Sequence, residues 1–249
     1  MEILNLGAST KPIIILIHGF ESPYQIWNPY IDFFNSRYRI VVPILPGHNV
    51  NKKDEFTSFD DAVNDFLDQF IPIYGTDVHA IYGMSMGGVF AASLWQSGKL
   101  NINKIIFESS PLLGFNSFMA SILTSQYISI NKKARKRNPK VIENATKTMI
   151  TKDKLSIFLN LVDNFTDDTV RSYLKEITTF SLKKDIDVRN TEIYYFYGGK
   201  ATERIFKKNG KYLQKIYPNT VLRCNDGKGH CETSLLHPEL WIPTIDLIL

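Results

Sequence analysis

Short apolar runs alternate with longer amphipathic stretches along most of the chain. The apolar runs predict buried strands at residues 12–20, 38–45, 78–85, 104–110, 192–199 and 220–225. Apolar residues at helical spacing predict helices at residues 59–73, 86–98, 203–217 and 238–249. This alternation predicts an α/β fold in which a mainly parallel sheet carries helices on both faces.

Residues 111–185 interrupt the alternation. This segment holds several predicted helices and no strong strand, and it is too long for a loop. We therefore expect a helical cap inserted at 111–185, with the α/β core formed by residues 1–110 and 186–249.

Composition adds bounds but little chemistry. The 249 residues are 44% hydrophobic and 22% charged, which is ordinary for one large globular domain. No apolar run approaches the roughly 20 residues that span a bilayer, and the N-terminus lacks the basic start of a secretory signal. These features predict a cytoplasmic protein in which Cys224 and Cys231 are free thiols.

The formal net charge of +4 is mild, but the basic residues cluster between Asn131 and Lys154. A solvated helix face is the simpler interpretation of such a run. The functional interpretation is attraction of an anionic substrate or of a membrane surface. No nucleic-acid-binding motif accompanies the run, so we expect no nucleic-acid partner.

The strongest chemical signal is the stretch IYGMSMGGVF at residues 81–90. Ser85 lies between Gly83 and Gly87, at the junction of a predicted strand and a predicted helix. A nucleophilic serine is presented on such a sharp turn, where strand and helix approach so closely that glycine is needed on either side. The pattern predicts that Ser85 is a nucleophile.

The partners of such a serine are sought by their roles. An oxyanion hole needs two backbone N–H groups, one from the residue after the nucleophile and one from a neighbouring strand end. These roles fall on Met86 and on Phe20, which follows the turn at His18 and Gly19.

The general base should be a histidine late in the chain. His230 follows the last predicted strand, in a glycine-containing loop that can reach the serine. His18 and His48 are interpreted as loop histidines, His79 as packed within a strand and His237 as the start of the last helix.

The motifs HGF at residue 18, PGHN at 46, GMSMGG at 83 and GHCE at 229 together resemble the α/β-hydrolase superfamily. The resemblance covers nearly the whole chain, and the insertion lies where that superfamily carries its cap. The resemblance implies the chain order serine, acid, histidine. Within the superfamily, the sequence is similar to small bacterial esterases and to menaquinone-pathway lyases. The resemblance implies no cofactor, and it implies a small-molecule ester or thioester substrate.

The sequence departs from the family pattern at the position where the acid is expected. In the matching stretch YGGKATE, Ala201 stands where the family usually has Asp. Glu203 on the same loop is the first candidate to replace it. Glu108 at the end of a strand and Glu232 after His230 are alternatives, and a site without any carboxylate is a further one.

Three functions follow from these residues. The first is a serine hydrolase that cleaves a carboxylic ester or thioester through an acyl-enzyme. The second is a lyase or acyltransferase on the same fold, and the third is a small-molecule-binding protein without efficient turnover. No metal-ligand spacing is present. Apolar cap residues either line an acyl pocket or form the core of the cap, namely Phe115, Phe118, Met119, Ile122, Leu123, Phe158 and Leu161.

Overall fold

The computed structural model describes residues 1–52, 54–188 and 191–249. Its strands are β1 (Glu2–Leu6), β2 (Ile13–Ile17), β3 (Arg39–Ile44), β4 (Asp77–Met84), β5 (Asn101–Glu108), β6 (Glu192–Gly198) and β7 (Val221–Asn225). They form one sheet in the order β1-β3-β2-β4-β5-β6-β7. Strand β1 is antiparallel to β3, whereas the remaining neighbours are parallel. The predicted α/β fold with a mainly parallel sheet is confirmed.

Helices connect the strands. They are α1 (Asn28–Phe34), α2 (Phe59–Tyr74), α3 (Met86–Gln96), α4 (Ser117–Arg135), α5 (Pro139–Thr148), α6 (Leu155–Asn164), α7 (Asp167–Thr179), α8 (Arg204–Ile216), α9 (Glu232–Leu236) and α10 (Pro238–Asp246). Helix α2 begins where predicted, because the Ser58 hydroxyl caps it by accepting the Asp61 N–H at 3.0 Å.

The sheet is covered on both faces, and β2 shows this most clearly because it is apolar and buried at every position. In β2 the alternating side chains of Ile13, Ile15 and Ile17 join one core cluster, which includes residues of α2, α3 and α8. Ile14 and Leu16 join the other cluster, which includes residues of α1 and α10. Successive side chains of a strand point to opposite faces of the sheet, so a strand that is apolar on both faces must be buried on both sides.

Three elements were not predicted. Strand β1 is a half-exposed edge strand of only five residues, so its apolar pattern is weak. Helix α1 has seven residues and follows a short 3₁₀ turn, so it too is short for a helical period to show. Helix α9 has five residues, too few to show a helical period.

Helices α4–α7 lie between β5 and β6 in the chain. Residues of α4, α6 and α7 share a core cluster with Phe20, Leu45 and Phe56, which follow the carboxyl ends of β2 and β3. These helices therefore pack over the edge of the sheet where the parallel strands end. That they form a cap domain with boundaries at 111 and 185 stays a prediction. None of the described helices is long and apolar enough to cross a membrane.

Candidate active site

Ser85 lies between the last residue of β4 and the first residue of α3. Its backbone has φ 53° and ψ −118°, which is a strained conformation for a residue with a side chain. The strained turn is held by a hydrogen bond from the Ser85 N–H to the carbonyl of Glu108 at 2.7 Å. The turn therefore has the backbone of a nucleophile elbow.

The two glycines beside Ser85 are required by close backbone contacts. A Cβ on Gly83 would lie 2.4 Å from the carbonyl oxygen of Gly87. A Cβ on Gly87 would lie 2.3 Å from the carbonyl oxygen of Ile17 in β2. Both distances are far inside van der Waals contact, so any side chain at either position would push α3 away from the sheet.

His230 lies over Ser85, in the loop that follows β7. Its Nε2 is 2.8 Å from the Ser85 Oγ, and its Nδ1 is 3.2 Å from Oε1 of Glu203. With the ring proton on Nδ1, the imidazole donates to Glu203 and accepts the Ser85 hydroxyl proton. The side chain is 40% exposed, and the Phe206 ring packs against it with centroids 4.6 Å apart.

Glu203 is buried behind His230, at the end of the 3₁₀ turn that Ala201 begins. Its Oε2 also accepts the Ser109 hydroxyl at 2.6 Å and the Gly198 N–H at 3.4 Å. Burial alone disfavours the charged form, but the hydrogen bonds from His230, Ser109 and Gly198 outweigh it and lower the pKa of Glu203. The carboxylate is therefore ionised near neutral pH.

Gly198 makes the room that the longer Glu203 side chain needs. A Cβ on Gly198 would lie 2.8 Å from Cγ of Glu203 and 2.5 Å from the carbonyl oxygen of Lys228 in the His230 loop. Glutamate in place of the family's aspartate reaches back toward the imidazole past this glycine.

Glu108 lies at the end of β5, is buried, and is bonded to partners other than His230. Its carboxyl accepts the Ser234 hydroxyl at 2.8 Å and the Tyr82 hydroxyl, and Tyr82 in turn accepts the Trp241 N–H at 2.8 Å. Burial raises the pKa of Glu108 to about 7, against the hydrogen bonds from Tyr82 and Ser234.

Glu232 is a half-buried residue in the first turn of α9. Its carboxylate pairs with Lys200 at 2.5 Å and accepts the Gly229 N–H at 2.8 Å. These bonds, with the one from Lys200 the largest influence, lower its pKa. Among the three glutamates weighed from the sequence, the structure brings only Glu203 into hydrogen-bond contact with His230.

The residues proposed for the oxyanion hole flank Ser85. Met86 is the first residue of α3, so its N–H has no acceptor within the helix. Phe20 follows Gly19, and a Cβ on Gly19 would lie 3.5 Å from the Ser85 Cβ. Within the described chain neither the Phe20 nor the Met86 N–H has a backbone or side-chain acceptor. The Met86 amide at the N-terminal end of α3, together with the unpaired Phe20 amide of the loop after β2, suits a developing oxyanion.

Two buried histidines hold the loop that carries Phe20. His18 Nδ1 lies 3.0 Å from the Gly19 carbonyl, while its Nε2 accepts the Leu45 N–H at 3.2 Å. His48 Nε2 accepts the Glu21 N–H at 3.1 Å. Burial lowers the pKa of His18 to about 4 and lowers that of His48 well below its usual value, so both rings are neutral acceptors.

Ser109 is the residue that sequence reasoning missed. It is fully buried with φ 44°, and its N–H donates to the Phe196 carbonyl at 2.8 Å while its hydroxyl reaches Glu203. The only signal was its position directly after β5, where the carboxyl ends of parallel strands converge.

The apolar cap residues differ in their exposure. Phe158 and Leu161 are buried in the core between the cap helices and the sheet. Phe118, Met119 and Ile122, on the first turns of α4, are exposed by 72%, 48% and 37% of their surface. Among the described residues no group of three or more potential metal-ligating side chains occurs.

A family model for the α/β-hydrolase fold matches residues 12–155, which include Phe20, Ser85 and Met86. The chain belongs to the α/β-hydrolase fold family. Membership of this family is consistent with the elbow geometry at Ser85 and with the order of the strands.

Individual relatives are more distant. A pimeloyl-[acyl-carrier protein] methyl ester esterase from Legionella pneumophila (strain Corby) is 33% identical over 81 residues, which is 32% of this chain and 30% of that protein. The chain therefore spans less than a third of the length of this curated relative. A putative α/β hydrolase family protein from Desulfitobacterium hafniense superimposes with a TM-score of 0.76 at 17% identity, covering 99% of both chains. MenH from S. aureus superimposes with a TM-score of 0.72 at 16% identity, covering 99% of this chain and 97% of that chain. At these identities the solved structures establish the fold alone.

Proposed function

We propose that this protein is a serine hydrolase that cleaves a carboxylic ester or thioester through an acyl-enzyme. The observation that carries the proposal is the continuous hydrogen-bonded chain from Glu203 through His230 to Ser85, at 3.2 and 2.8 Å. Serine, histidine and a buried carboxylate in this order are the arrangement that activates a hydroxyl for acyl transfer.

Each residue has one task in the reaction. His230 takes the Ser85 proton as the serine oxygen bonds to the substrate carbonyl carbon. The Phe20 and Met86 amides stabilise the oxyanion, and the protonated His230 returns its proton to the departing alcohol or thiol. The same imidazole then activates water, which attacks the acyl-serine and releases the acid.

Glu203 favours turnover over binding alone. The reason to consider a non-catalytic binder was Ala201 at the usual acid position. Glu203 supplies the missing carboxylate from two residues further on, ionised and aligned with His230. Its task is to hold the imidazole in orientation and to stabilise the charged ring during acyl transfer.

The exposed apolar side chains of α4 support an apolar acyl or alcohol part in the substrate. Phe118, Met119 and Ile122 lie on this helix, whose later turn contacts Phe20 through Tyr127 with ring centroids 5.5 Å apart. The helix therefore runs from an exposed apolar end to the loop of the oxyanion hole.

Charge supports an anionic part in the substrate, but from a different helix than the sequence suggested. In the cap, Arg135 and Lys132 both pair with Asp167 and Arg137 pairs with Asp163, whereas Lys133 and Lys136 are exposed without an ion-pair partner among the described residues. Helix α8, which begins directly after Glu203, carries five exposed cations and no acid on one face. They have no ion-pair partner among the described residues and are Arg204, Lys207, Lys208, Lys211 and Lys215.

The first test is hydrolysis of p-nitrophenyl esters from acetate to decanoate, together with labelling by a fluorophosphonate. We expect the native protein to be labelled and active, and Ser85→Ala to lose both properties. Ser93→Ala, which removes a buried hydroxyl two turns further along α3, is the matched control and should keep them. A native protein without turnover and without labelling would refute the hydrolase.

The charge of the substrate is tested with an ester that bears a phosphate and its neutral analogue. Lys208→Gln with Lys211→Gln should raise the KM for the phosphorylated ester alone. The cap pair Lys133→Gln with Lys136→Gln removes the same charge and should have a smaller effect. Equal effects of the two pairs would show general charge attraction in place of a site on α8.

A further inference from the structure

Glu21 joins the proposed oxyanion loop to the cap. It follows Phe20 directly, is 4% exposed and has a φ of 55°. Its N–H is fixed by His48 at 3.1 Å, and its Oε1 accepts a hydrogen bond from Nδ2 of Asn131 on α4. A buried carboxyl therefore bonds to the cap helix from the residue next to the proposed oxyanion donor.

Asn131 is buried with an unpaired acceptor. Its Nδ2 also donates to the Tyr127 carbonyl at 3.0 Å, which fixes the orientation of the amide. Its Oδ1 is buried and has no hydrogen-bond partner among the described residues. An ionised Glu21 offers only acceptors, so it cannot satisfy that oxygen. A protonated Glu21 offers the O–H donor that the buried amide oxygen lacks.

We propose that Glu21 acts as a neutral carboxylic acid that pairs with the Asn131 side chain through two hydrogen bonds, and that this pair positions the Phe20 amide. Asn131 Nδ2–H donates to one carboxyl oxygen of Glu21, and the protonated oxygen donates back to Asn131 Oδ1. The inference rests on the proposed function, because the Phe20 amide needs positioning only if an oxyanion forms there.

The surroundings of Glu21 favour the neutral form. Burial raises the pKa of Glu21 to about 7, although the Asn131 hydrogen bond and the Arg135 charge oppose the shift. Arg135, on α4, is itself paired with Asp167 of α7 at 2.7 Å. Burial and the nearby Glu21 raise the pKa of Tyr127 to about 12, so that phenol is neutral.

His48 is the titratable group that faces Glu21 from the loop after β3. Burial, followed by the neighbouring His18 ring, lowers the pKa of His48 well below its usual value. A neutral His48 accepts the Glu21 N–H and brings no positive charge that would favour the carboxylate. The buried groups around Glu21 thus leave Arg135 as the nearest cation that opposes protonation.

The position of Phe20 explains why this pair should affect the reaction. The Phe20 ring packs between the cap and the sheet, with centroids 5.5 Å from Tyr127 and Phe165 and 5.4 Å from Tyr173. Its amide thus belongs to a segment held by ring packing on one side and by the Glu21 pair on the other. Loosening the pair should misplace a donor that acts on the transition state, so kcat should fall more than KM rises.

The test compares Glu21→Gln with Glu21→Ala. Glutamine keeps a donor and an acceptor for Asn131 and cannot ionise, whereas alanine removes both. We expect Glu21→Gln to keep kcat within about threefold of the native protein and Glu21→Ala to lose about 10- to 100-fold in kcat, with KM little changed. The native kcat should decline as pH rises through about 7, the raised pKa of Glu21, and Glu21→Gln should lack that decline.

A matched control is Glu176→Gln, because Glu176 on α7 also joins the cap to the core, by accepting the Phe59 N–H at 3.2 Å. It should leave the pH profile unchanged. Carbon-13 NMR of the Glu21 carboxyl provides a readout independent of activity, and it should report the neutral acid at pH 6 in the native protein.

Three results would overturn the proposal: an ionised Glu21 at pH 6, a Glu21→Gln variant as impaired as Glu21→Ala, or an unchanged kcat in Glu21→Ala. If Glu21→Ala does not fold, the glutamine variant and the NMR measurement still decide. If the native protein hydrolyses no ester and Ser85 is not labelled, the proposed function fails, while the carboxyl signal decides separately whether the acid–amide pair exists.

Discussion

Two buried glutamates at the ends of neighbouring strands have opposite tendencies to ionise. Glu108 ends β5 and is 2% exposed, while Glu203 follows β6 and is 1% exposed. The pKa of Glu203 is lowered, although burial opposes this, whereas burial raises that of Glu108 to about 7. Low solvent exposure alone therefore does not decide whether a carboxyl is charged.

The difference lies in what each carboxyl faces. Glu203 accepts bonds from His230, Ser109 and Gly198, and the imidazole is a partner that becomes positively charged in the proposed reaction. Glu108 accepts bonds from the neutral hydroxyls of Tyr82 and Ser234, which do not offset its desolvation. The first environment suits a catalytic carboxylate and the second suits a structural carboxyl that is easily protonated.

The largest expected effect separates the two residues by activity. Glu203→Gln removes the charge that orients and stabilises the His230 imidazole, so kcat/KM for an active p-nitrophenyl ester should fall about a thousandfold. Glu108→Gln keeps the shape of a neutral carboxyl and should cost less than about fivefold. A large loss from Glu108→Gln with little loss from Glu203→Gln would reverse our assignment of the acid.

The second effect concerns stability and pH. The pKa of Glu108 is raised from 4.5 to about 7 on folding, so the folded state holds its proton more tightly. Its contribution is complete below about pH 4.5 and is lost as pH rises through about 7, a change on the order of 3 kcal/mol. The contribution of Glu203 to the free energy of unfolding depends on pH in the opposite direction. Because folding lowers the pKa of Glu203, this residue stabilises the fold at pH values above the pKa of an unfolded glutamate, and the contribution is lost at acid pH.

Urea unfolding of the native protein and of Glu108→Gln from pH 5 to pH 8 measures this effect. The difference in the free energy of unfolding should change across that range and then level off above pH 7. Glu21 contributes a change of the same sign, and it remains in both proteins, so it cancels in the difference. A difference independent of pH would show that Glu108 is ionised throughout.

The smallest expected effect tests one of the hydrogen bonds that lower the pKa of Glu203 relative to that of Glu108. Ser109→Ala removes the hydroxyl that donates to Glu203 at 2.6 Å. The pKa of Glu203 should rise, because the hydrogen bond favours the charged form, and kcat/KM should fall about tenfold. The acid limb of the pH profile should move to higher pH, since the carboxylate then forms only at higher pH. An unmoved acid limb would mean that Ser109 does not control the ionisation of Glu203.

Local signals in the sequence were sufficient for the elbow and for the six strands β2–β7 of the sheet. A Cβ added to Gly83 or Gly87 would lie 2.4 or 2.3 Å from a backbone carbonyl oxygen, as expected for a turn that admits no Cβ. Strand β2 was recognisable because it is buried on both faces and thus reads as a continuous apolar run. Edge strand β1 and helices α1 and α9 were not predicted, because short or half-exposed elements show no clear periodic spacing of apolar residues.

The sequence by itself determined the fold class, the turn at Ser85 and the position of His230 after the last strand, because each depends on residues close together in the chain. Only the tertiary structure chose Glu203 among three glutamates, brought Ser109 beneath it and paired Glu21 with Asn131. Glu203 and Ser109 are 94 residues apart, and Glu21 and Asn131 are 110 apart. Their contacts arise where strands and cap helices converge, and no local pattern of residue types encodes which buried groups will meet there.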